Sequence, residues 1–146
     1  MPISNTDNKI AAQEEAYLYT QASQIPDAGL GLFTAIPIYK GETIALFKGD
    51  ILDAAEAKKR AADRQDQYFI MLLDGKIMDS KNTACFAKYA NDAKGSPDLN
   101  FKNNAKITLN DNDQVCIQAT KKIKAENEIF VAYGKRYWKK HLSKSI

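Results

Sequence analysis

Short runs of β-branched, aromatic and leucine residues alternate along the chain with Gly, Asn, Asp and Pro. Apolar runs of this kind are typical of strands, and the residues between them are typical of turns. The pattern therefore predicts a mainly β fold built from several small sheets. The predicted strands are Tyr17–Tyr19, Thr43–Phe47, Tyr68–Leu73, Lys106–Leu109, Val115–Ala119 and Ile129–Ala132.

One segment departs from this pattern and predicts a single short helix. Asp53 and Glu56 have the spacing of a capping box, in which the N-cap side chain accepts a hydrogen bond from the third helical residue. The segment Ala54–Arg64 is rich in alanine, which favours helix. Basic side chains toward its end complement the helix dipole; they are Lys58, Lys59, Arg60 and Arg64.

Two other segments have compositions that suit turns, loops or ligand contacts. Gly29 and Gly31 let the backbone turn tightly or approach a ligand closely. They do not indicate a dinucleotide-binding turn, because a third glycine is missing and an apolar extended run follows where a helix would begin. A tight turn between strands is the alternative. Asn91–Asn104 is dense in Asn, Asp, Gly, Ser and Pro and predicts a long loop, which in a compact domain is often functional.

Size and composition indicate one soluble domain. The chain has 146 residues, of which 45% are hydrophobic and 27% charged, as in ordinary globular domains. Met1–Ala16 is polar and lacks the apolar region of a secretory signal, and no apolar run approaches the roughly twenty residues that span a bilayer. Cys85 and Cys116 lack the paired spacing of a zinc site or disulfide framework. We expect an intracellular, soluble protein, cytoplasmic by default, with no metal and no membrane association; a nuclear location or that of a secreted effector stays open.

The charge of the chain is only mildly basic. Its 21 Lys and Arg residues exceed its 18 Asp and Glu residues, for a formal net charge of +3. That excess does not by itself indicate a nucleic-acid partner, which a clustered basic face would. We expect no direct nucleic-acid binding and rank that function last among the hypotheses.

Four segments carry candidate chemistry, and each has an ordinary structural alternative. The glycine segment Gly29–Phe33 also reads as a turn, and Phe47–Asp50 with Tyr68 also reads as strand packing. The Asn and Asp residues between Asp79 and Asn100 also read as turn residues. The aromatic residues of Glu128–Gly134, with Tyr137 and Trp138, also read as packing of the C-terminal tail.

In their order and spacing these segments together resemble the SET-domain family of protein lysine methyltransferases, from about Tyr17 to Trp138. Gly29–Phe33 resembles the family's glycine motif, and Phe47-Lys48-Gly49-Asp50 its aromatic-x-Gly-acidic strand. Asn91-Asp92 stands at the family's Asn-His pair, so that Asp92 replaces the usual histidine. Val131-Ala132-Tyr133-Gly134 resembles the strand that ends in the catalytic tyrosine.

The resemblance implies a domain organisation as well as a fold. It implies one SET domain over residues 1–146, with its core at about 17–138, a polar N-terminal extension at 1–16 and a basic aromatic tail at 135–146. Several small sheets, one inserted helix and a pseudoknot-like threading of the C-terminal segment under the Asn91 loop are expected. The cysteine-rich zinc segments of many family members are absent, so the chain resembles the minimal members.

The resemblance also implies a cofactor, S-adenosylmethionine, and a substrate, a lysine of a histone or another basic protein. Tyr133 and Tyr68 are the expected catalytic residues. Lys88 stands where the family usually has arginine and is suited to pair with the cofactor's carboxylate. The cofactor-binding residues implied are Gly29, Leu30, Gly31, Tyr68, Lys88, Asn91, Asp92, Tyr133 and Trp138. The lysine channel implied is lined by Phe47, Tyr68, Tyr133 and Tyr137.

The reaction requires an in-line approach of a neutral amine to the methyl group, so alignment supplies much of the acceleration. A free lysine has a pKa of about 10.4, and an apolar aromatic channel favours its neutral form. A catalytically degenerate SET fold that serves as a protein-interaction module is the alternative, because the motif from Asn91 to Asn100 departs from the family pattern. The substrate protein, the number of methyl groups added and the oligomeric state stay open.

Overall fold

The computed structural model describes residues 10–65, 68–72, 75–93 and 101–132. Its strands form three small sheets with two short helices, so the mainly β prediction is confirmed. The helices are α1 (Glu14–Tyr17) and α2 (Ala54–Ala62), and a single 3₁₀ turn spans Ala87–Tyr89. The strands are β1 (Leu18–Ala22), β2 (Leu30–Thr34), β3 (Thr43–Leu46), β4 (Asp50–Leu52), β5 (Phe69–Met71), β6 (Ile77–Asp79), β7 (Ala105–Leu109), β8 (Val115–Ala119), β9 (Glu128–Ile129) and β10 (Val131–Ala132).

The three sheets differ in size and in how far apart their strands lie in the sequence. One has the order β1-β2-β9, the second β10-β7-β8-β3, and the third β4-β6-β5. All pairs are antiparallel except β10 with β7. The third sheet, which we call the small sheet, is joined by α2 and takes its strands from one stretch of the chain. The other two combine strands from both ends of the described chain.

The inserted helix forms as predicted at its start. The Asp53 carboxylate accepts a hydrogen bond from the Glu56 amide at 2.8 Å and caps the first turn. The helix ends at Ala62, two residues earlier than predicted. Arg64 has a left-handed backbone with φ of 59°, and the Gln65 amide donates to the Arg60 carbonyl. These are the features of a Schellman motif, which ends the helix.

The first predicted strand is wrong at its start. Tyr17 is the last residue of α1 and not a strand residue, and β1 begins at Leu18, where pairing with Thr34 starts. Glu14 and Glu15 in the first turn favour the helix that precedes it. The buried Tyr17 hydroxyl donates to the Ile44 carbonyl at 2.6 Å, which joins α1 to β3.

Several other strands also differ from the prediction because pairing decides their bounds. β5 begins at Phe69, so Tyr68 lies just before the strand. The predicted Ile129–Ala132 strand is split into β9 and β10 at Phe130, which pairs instead with Asn91. The three-residue strands β4 and β6 were outside the predicted strands, since so short a run shows no period.

The apolar side chains of the described residues form one main core and two smaller clusters, one of which consists of Ile25, Ala93 and Phe130. The main core joins the two larger sheets through fully buried residues that include Leu32, Ile44, Ile117, Ile129 and Val131. A second cluster lies under the small sheet and α2 and consists of Leu52, Ala57, Phe69 and Ile77. The small sheet therefore has its own limited apolar support.

The C-terminal segment 128–132 passes between parts of the chain that are distant in sequence. Ile129 pairs with Leu32 of β2, Phe130 forms a parallel bridge with Asn91, and Val131 pairs with Ala105 of β7. The Val131 amide donates to the Asn91 carbonyl at 2.8 Å. These pairings place the segment beside Asn91, while its pseudoknot-like threading under the loop stays a prediction, because residues 94–100 and 133–146 lie outside the described residues. Within the described residues, no helix is long and apolar enough to cross a membrane.

Candidate functional site

The glycine segment forms the exposed start of β2. Gly29 has a positive φ of 75°, and a Cβ placed on it would have open space around it. Leu30 is 48% exposed, although it is a large apolar residue. Gly31 is buried, and a Cβ there would overlap the Glu128 carboxylate. Glycine at position 31 is thus required by packing, whereas Gly29 and Leu30 present backbone to the surface.

A buried carboxylate fixes the segment next to the glycines. Glu128 is 2% exposed, and its carboxylate accepts hydrogen bonds from the Ser23 hydroxyl at 2.7 Å and the Gln24 amide at 2.9 Å. These bonds tie the turn after β1 to β9. Sequence reasoning did not identify Ser23 as part of the site, because nothing local links it to a partner 105 positions away.

Asn91 joins the glycine segment to the C-terminal segment. Its side-chain amide donates to the Leu30 carbonyl at 3.1 Å, and its own carbonyl accepts from the Val131 amide at 2.8 Å. Residues from three distant stretches of the sequence therefore meet at Asn91. The prediction that Leu30 and Asn91 lie in one site is consistent with this contact, while their binding of a cofactor stays a prediction.

Asp92, at the position of the family's histidine, takes part in a ring of side-chain and backbone bonds. Its carboxylate accepts from the Asn103 side-chain amide at 3.0 Å, and the Asn103 carbonyl oxygen accepts from the Ala93 amide at 2.8 Å. Asn104 then bonds to both Glu128 and Phe130 through its side chain. The two described ends of the Asn91–Asn104 loop are thus held together, and Asp92 helps to hold them.

Tyr68 and Lys88 form a second group. The Lys88 ammonium lies 5.5 Å from the centroid of the Tyr68 ring and 5.4 Å from that of Tyr89. It also donates to the carbonyls of Ser80, Lys81 and Thr83 at 3.0, 3.2 and 3.0 Å. The role predicted for Lys88 in pairing with a cofactor carboxylate therefore competes with three bonds already present.

Charged side chains connect α2 to the small sheet that precedes Lys88. Arg60 donates to the carboxylates of Glu56 at 2.9 Å and Asp79 at 2.8 Å, and lies 3.9 Å from that of Asp50. Hydrogen bonds to Glu56 and Asp79 raise the pKa of Arg60 above its usual value. Asp79 is 1% exposed and also accepts from the Lys81 amide. Asp79, the last residue of β6, thus anchors both the helix and the turn after the strand.

Of the remaining predicted site residues, the structure describes Phe47. Phe47 is buried in the main core at 7% exposure, and its amide donates to the Val115 carbonyl, so its predicted place in a lysine channel stays a prediction. The other candidates lie outside the described residues, and their roles stay predictions too. These are Asn100, Tyr133, Tyr137 and Trp138.

The described surface has grooves elsewhere than at Asn91. Two open grooves of about 290 and 310 Å³ both include Glu14, Glu15 and Lys48, and neither is lined by the glycine segment or Asn91.

Over residues 10–65, 68–72, 75–93 and 101–132, no group of three or more His, Cys, Asp or Glu side chains has the arrangement to hold a metal ion. The candidate site is therefore defined by its polar groups and exposed backbone.

Comparison with known proteins identifies the fold. The family model described as the SET domain matches residues 29–134. An apo Polycomb Repressive Complex 2 structure, titled ctPRC2 and carrying two mutations in Ezh2, matches with 28% identity and a TM-score of 0.68 over 82% of this chain and 15% of that chain. An autoinhibited ctPRC2 bound to S-adenosylmethionine matches with 23% identity and a TM-score of 0.69 over 88% of this chain and 17% of that chain.

A humanized mutant of the Chaetomium thermophilum complex bound to an inhibitor matches with 24% identity and a TM-score of 0.67, over 82% of this chain and 15% of that chain. The matches below 25% identity show the fold alone. The chain spans at most 17% of the length of these three chains. No curated protein sequence is significantly similar to it. Because the family model covers more than half of the sequence and the fold agrees with it, this chain belongs to the SET-domain family.

Proposed function

We propose that this protein is an S-adenosylmethionine-dependent protein lysine N-methyltransferase, acting on a lysine amine of a histone or another basic protein. The observation that carries the proposal is the position of Asn91. Its side chain bonds to Leu30 between the two glycines, and its backbone bonds to Val131, two residues before Tyr133. The motifs that the family uses for cofactor and catalysis are thus joined at one residue.

The described residues fit the cofactor in two respects. Gly29 leaves open space where a side chain would stand, and the exposed Leu30 beside it presents apolar surface and backbone. Asn91 has both a carbonyl and an amide group, which suit the ammonium and carboxylate of an amino-acid end. We infer that Gly29, Leu30 and Asn91 would hold S-adenosylmethionine, with Asp92 supporting the loop. When bound, that cofactor supplies an activated methyl group.

The acceptor amine would be oriented by tyrosines. Tyr68 directly precedes β5, and Tyr133 follows β10 in the sequence. Aromatic rings exclude water and favour the neutral amine, which is the nucleophilic form of lysine. The proposal therefore assigns alignment and desolvation to these tyrosines and not a proton-abstracting base.

A basic substrate is supported by the charge near the small sheet. There, the single guanidinium of Arg60 faces the carboxylates of Asp50, Glu56 and Asp79, so the group carries net negative charge. The side chains of Asp50 and Glu56 are 55% and 43% exposed and are within reach of a partner. Charge complementarity of this kind favours encounter with a basic protein.

The alternative is a degenerate SET fold that binds protein without catalysis. One observation favours it: Asp92 stands where the family has histidine, and its carboxylate is bonded within the loop to Asn103. A module of this kind would bind a lysine-rich protein and transfer no methyl group.

Methyl transfer to protein separates these two functions. Purified full-length protein is incubated with methyl-labelled S-adenosylmethionine and either core histones or purified ribosomal proteins. We expect label in lysine residues, and a fall of about 100-fold or more for Tyr133→Phe if the lost hydroxyl misaligns the reacting groups. Tyr39→Phe is the matched control, because Tyr39 is an exposed tyrosine whose ring lies near the Lys122 ammonium and which is not one of the predicted site residues. Label that does not depend on Tyr133, or none in either protein set, would count against the enzyme.

A further inference from the structure

The Lys88 ammonium is fully engaged within the protein. An ammonium group has three N–H donors, and Lys88 has three carbonyl acceptors at 3.0 to 3.2 Å, from Ser80, Lys81 and Thr83. All three carbonyls belong to the turn that follows β6. Hydrogen bonds that involve a charged donor are stronger than neutral ones, so this turn is shaped around the ammonium.

The same turn adjoins Tyr68. The Ser80 amide donates to the Tyr68 carbonyl at 3.3 Å, and the Ser80 hydroxyl donates to the Lys48 carbonyl at 2.6 Å. The Lys88 ammonium lies over the Tyr68 ring as well. Loss of the ammonium would remove a donor from all three carbonyls, of which that of Ser80 also accepts from the Thr83 amide at 3.2 Å, and would free the backbone beside Tyr68.

Lys88 is also close in sequence to Asn91. It lies in the 3₁₀ turn Ala87–Tyr89, and the Ala90 amide that follows bonds back to the Ala87 carbonyl. Asn91 is the next residue and bonds to Leu30. A single side chain thus connects the segment that carries Tyr68 to the segment that carries Asn91.

From these contacts we propose that Lys88 is a positioning residue for methyl transfer, which holds Tyr68 in register with Asn91, and not a ligand of the cofactor carboxylate. The inference rests on the proposed function as far as the reaction is concerned. The claim that Lys88 holds the turn at Ser80 does not depend on the reaction and is measurable without cofactor. Because the reacting groups must align, a shift at Tyr68 would lower the rate of methyl transfer while cofactor binding persists.

The first test separates positioning from cofactor binding. Calorimetry compares S-adenosylhomocysteine with its decarboxylated analogue on wild type and on Lys88→Met. If Lys88 does not contact the carboxylate, removing that group changes the dissociation constant by the same factor in both proteins, within about two-fold. A carboxylate effect of about ten-fold in wild type that disappears in Lys88→Met would show a direct contact and overturn the proposal.

The second test reads the turn itself in the absence of ligand. Amide hydrogen exchange at Ser80 and Thr83 is expected to be faster in Lys88→Met than in wild type, because their turn loses its central donor. Lys88→Arg keeps the charge and several donors and should preserve slow exchange. Lys81→Met is the matched control, since Lys81 is an exposed lysine of the same turn. Unchanged exchange in Lys88→Met would overturn the proposal.

We expect Lys88→Met to change kcat and to leave KM for S-adenosylmethionine nearly unchanged. Lys88→Met should lower kcat by about 10- to 100-fold and leave KM for S-adenosylmethionine within about two-fold of wild type, and Lys88→Arg should recover most of the rate. A raised KM with unchanged kcat would contradict the proposal.

If Lys88→Met does not fold, Lys88→Gln, which retains a donor, replaces it. If wild type binds neither ligand, the proposed function fails, and the exchange measurement still decides the role of Lys88.

Discussion

The Asn91 region and the Tyr68 region are held together by different interactions. Around Asn91, segment 128–132 pairs by backbone with β2, Asn91 and β7, and Leu32, Ile129 and Val131 have no exposed surface. Around Tyr68, three strands of three residues each rest on a cluster of four buried residues. The charges of Arg60 and Lys88 supply much of the remaining connection there.

This difference indicates how each half of the proposed site responds to change. Close packing and backbone pairing tolerate almost no added volume, and the buried Glu128 carboxylate in this region is bonded to the neutral donors of Ser23 and Gln24. A small sheet held by charged side chains tolerates volume better and depends on those charges. Mutations that add a methyl group should therefore damage the Asn91 region, and mutations that remove a charge should damage the Tyr68 region.

The largest expected effect is that of Gly31→Ala. The added Cβ would overlap the Glu128 carboxylate and would lie 3.2 Å from the Ser23 Cα, so the carboxylate must leave its bonds to Ser23 and Gln24 or the turn after β1 must move. We expect the free energy of unfolding to fall by about 3 kcal/mol, as for severe overpacking. Urea unfolding followed by circular dichroism measures it.

Gly29→Ala is the matched control for this effect. Gly29 has a positive φ of 75° but open space around it, so alanine there meets only backbone strain of about 1 to 2 kcal/mol. If the two substitutions proved equally destabilising, close packing at Gly31 would not be the feature that distinguishes the Asn91 region.

A smaller and local effect is expected for Arg60→Met. The substitution removes the donor to the buried Asp79 carboxylate and breaks the contacts of α2 with Asp50. Amide hydrogen exchange should become faster in β4 and β6 and stay unchanged in β7 and β8. The global loss of stability should be smaller than that of Gly31→Ala, because Arg60 is partly exposed.

Lys59→Met is the control for Arg60→Met, since Lys59 is the exposed neighbouring base of the same helix. It should leave exchange in β4 and β6 as in wild type. Exchange that becomes faster in all three sheets after Arg60→Met would mean that the small sheet is not an independently stabilised region.

The local elements were predictable where one short stretch of sequence determines them. The cap of α2 at Asp53 and the hydrophobic strand β8 depend on neighbours a few positions away, and both were found where expected. The three-residue strand β6 and the helix start at Glu14 depend on partners elsewhere in the chain, so their residues show no period of their own.

The contacts between distant segments were accessible only through the family resemblance. No periodicity links Asn91 to Leu30 or Phe130, yet these contacts unite the proposed cofactor site. The contacts of Ser23 and Lys88 were missed, because a side chain that bonds to backbone carbonyls or to a buried acid leaves no pattern in the sequence. The family motifs were thus recognised from the sequence, their roles in a site stay predictions, and their supporting partners were missed.

The central claim, that Asn91 organises a site for S-adenosylmethionine, is tested most directly by calorimetric titration of wild type and Asn91→Ala with that cofactor. We expect saturable binding by wild type and an affinity at least about ten-fold lower for Asn91→Ala, the effect of losing one or two hydrogen bonds in a partly buried site. Asn112→Ala, an exposed turn residue, should bind as wild type does. Absence of binding by wild type, or equal binding by Asn91→Ala, would contradict the account.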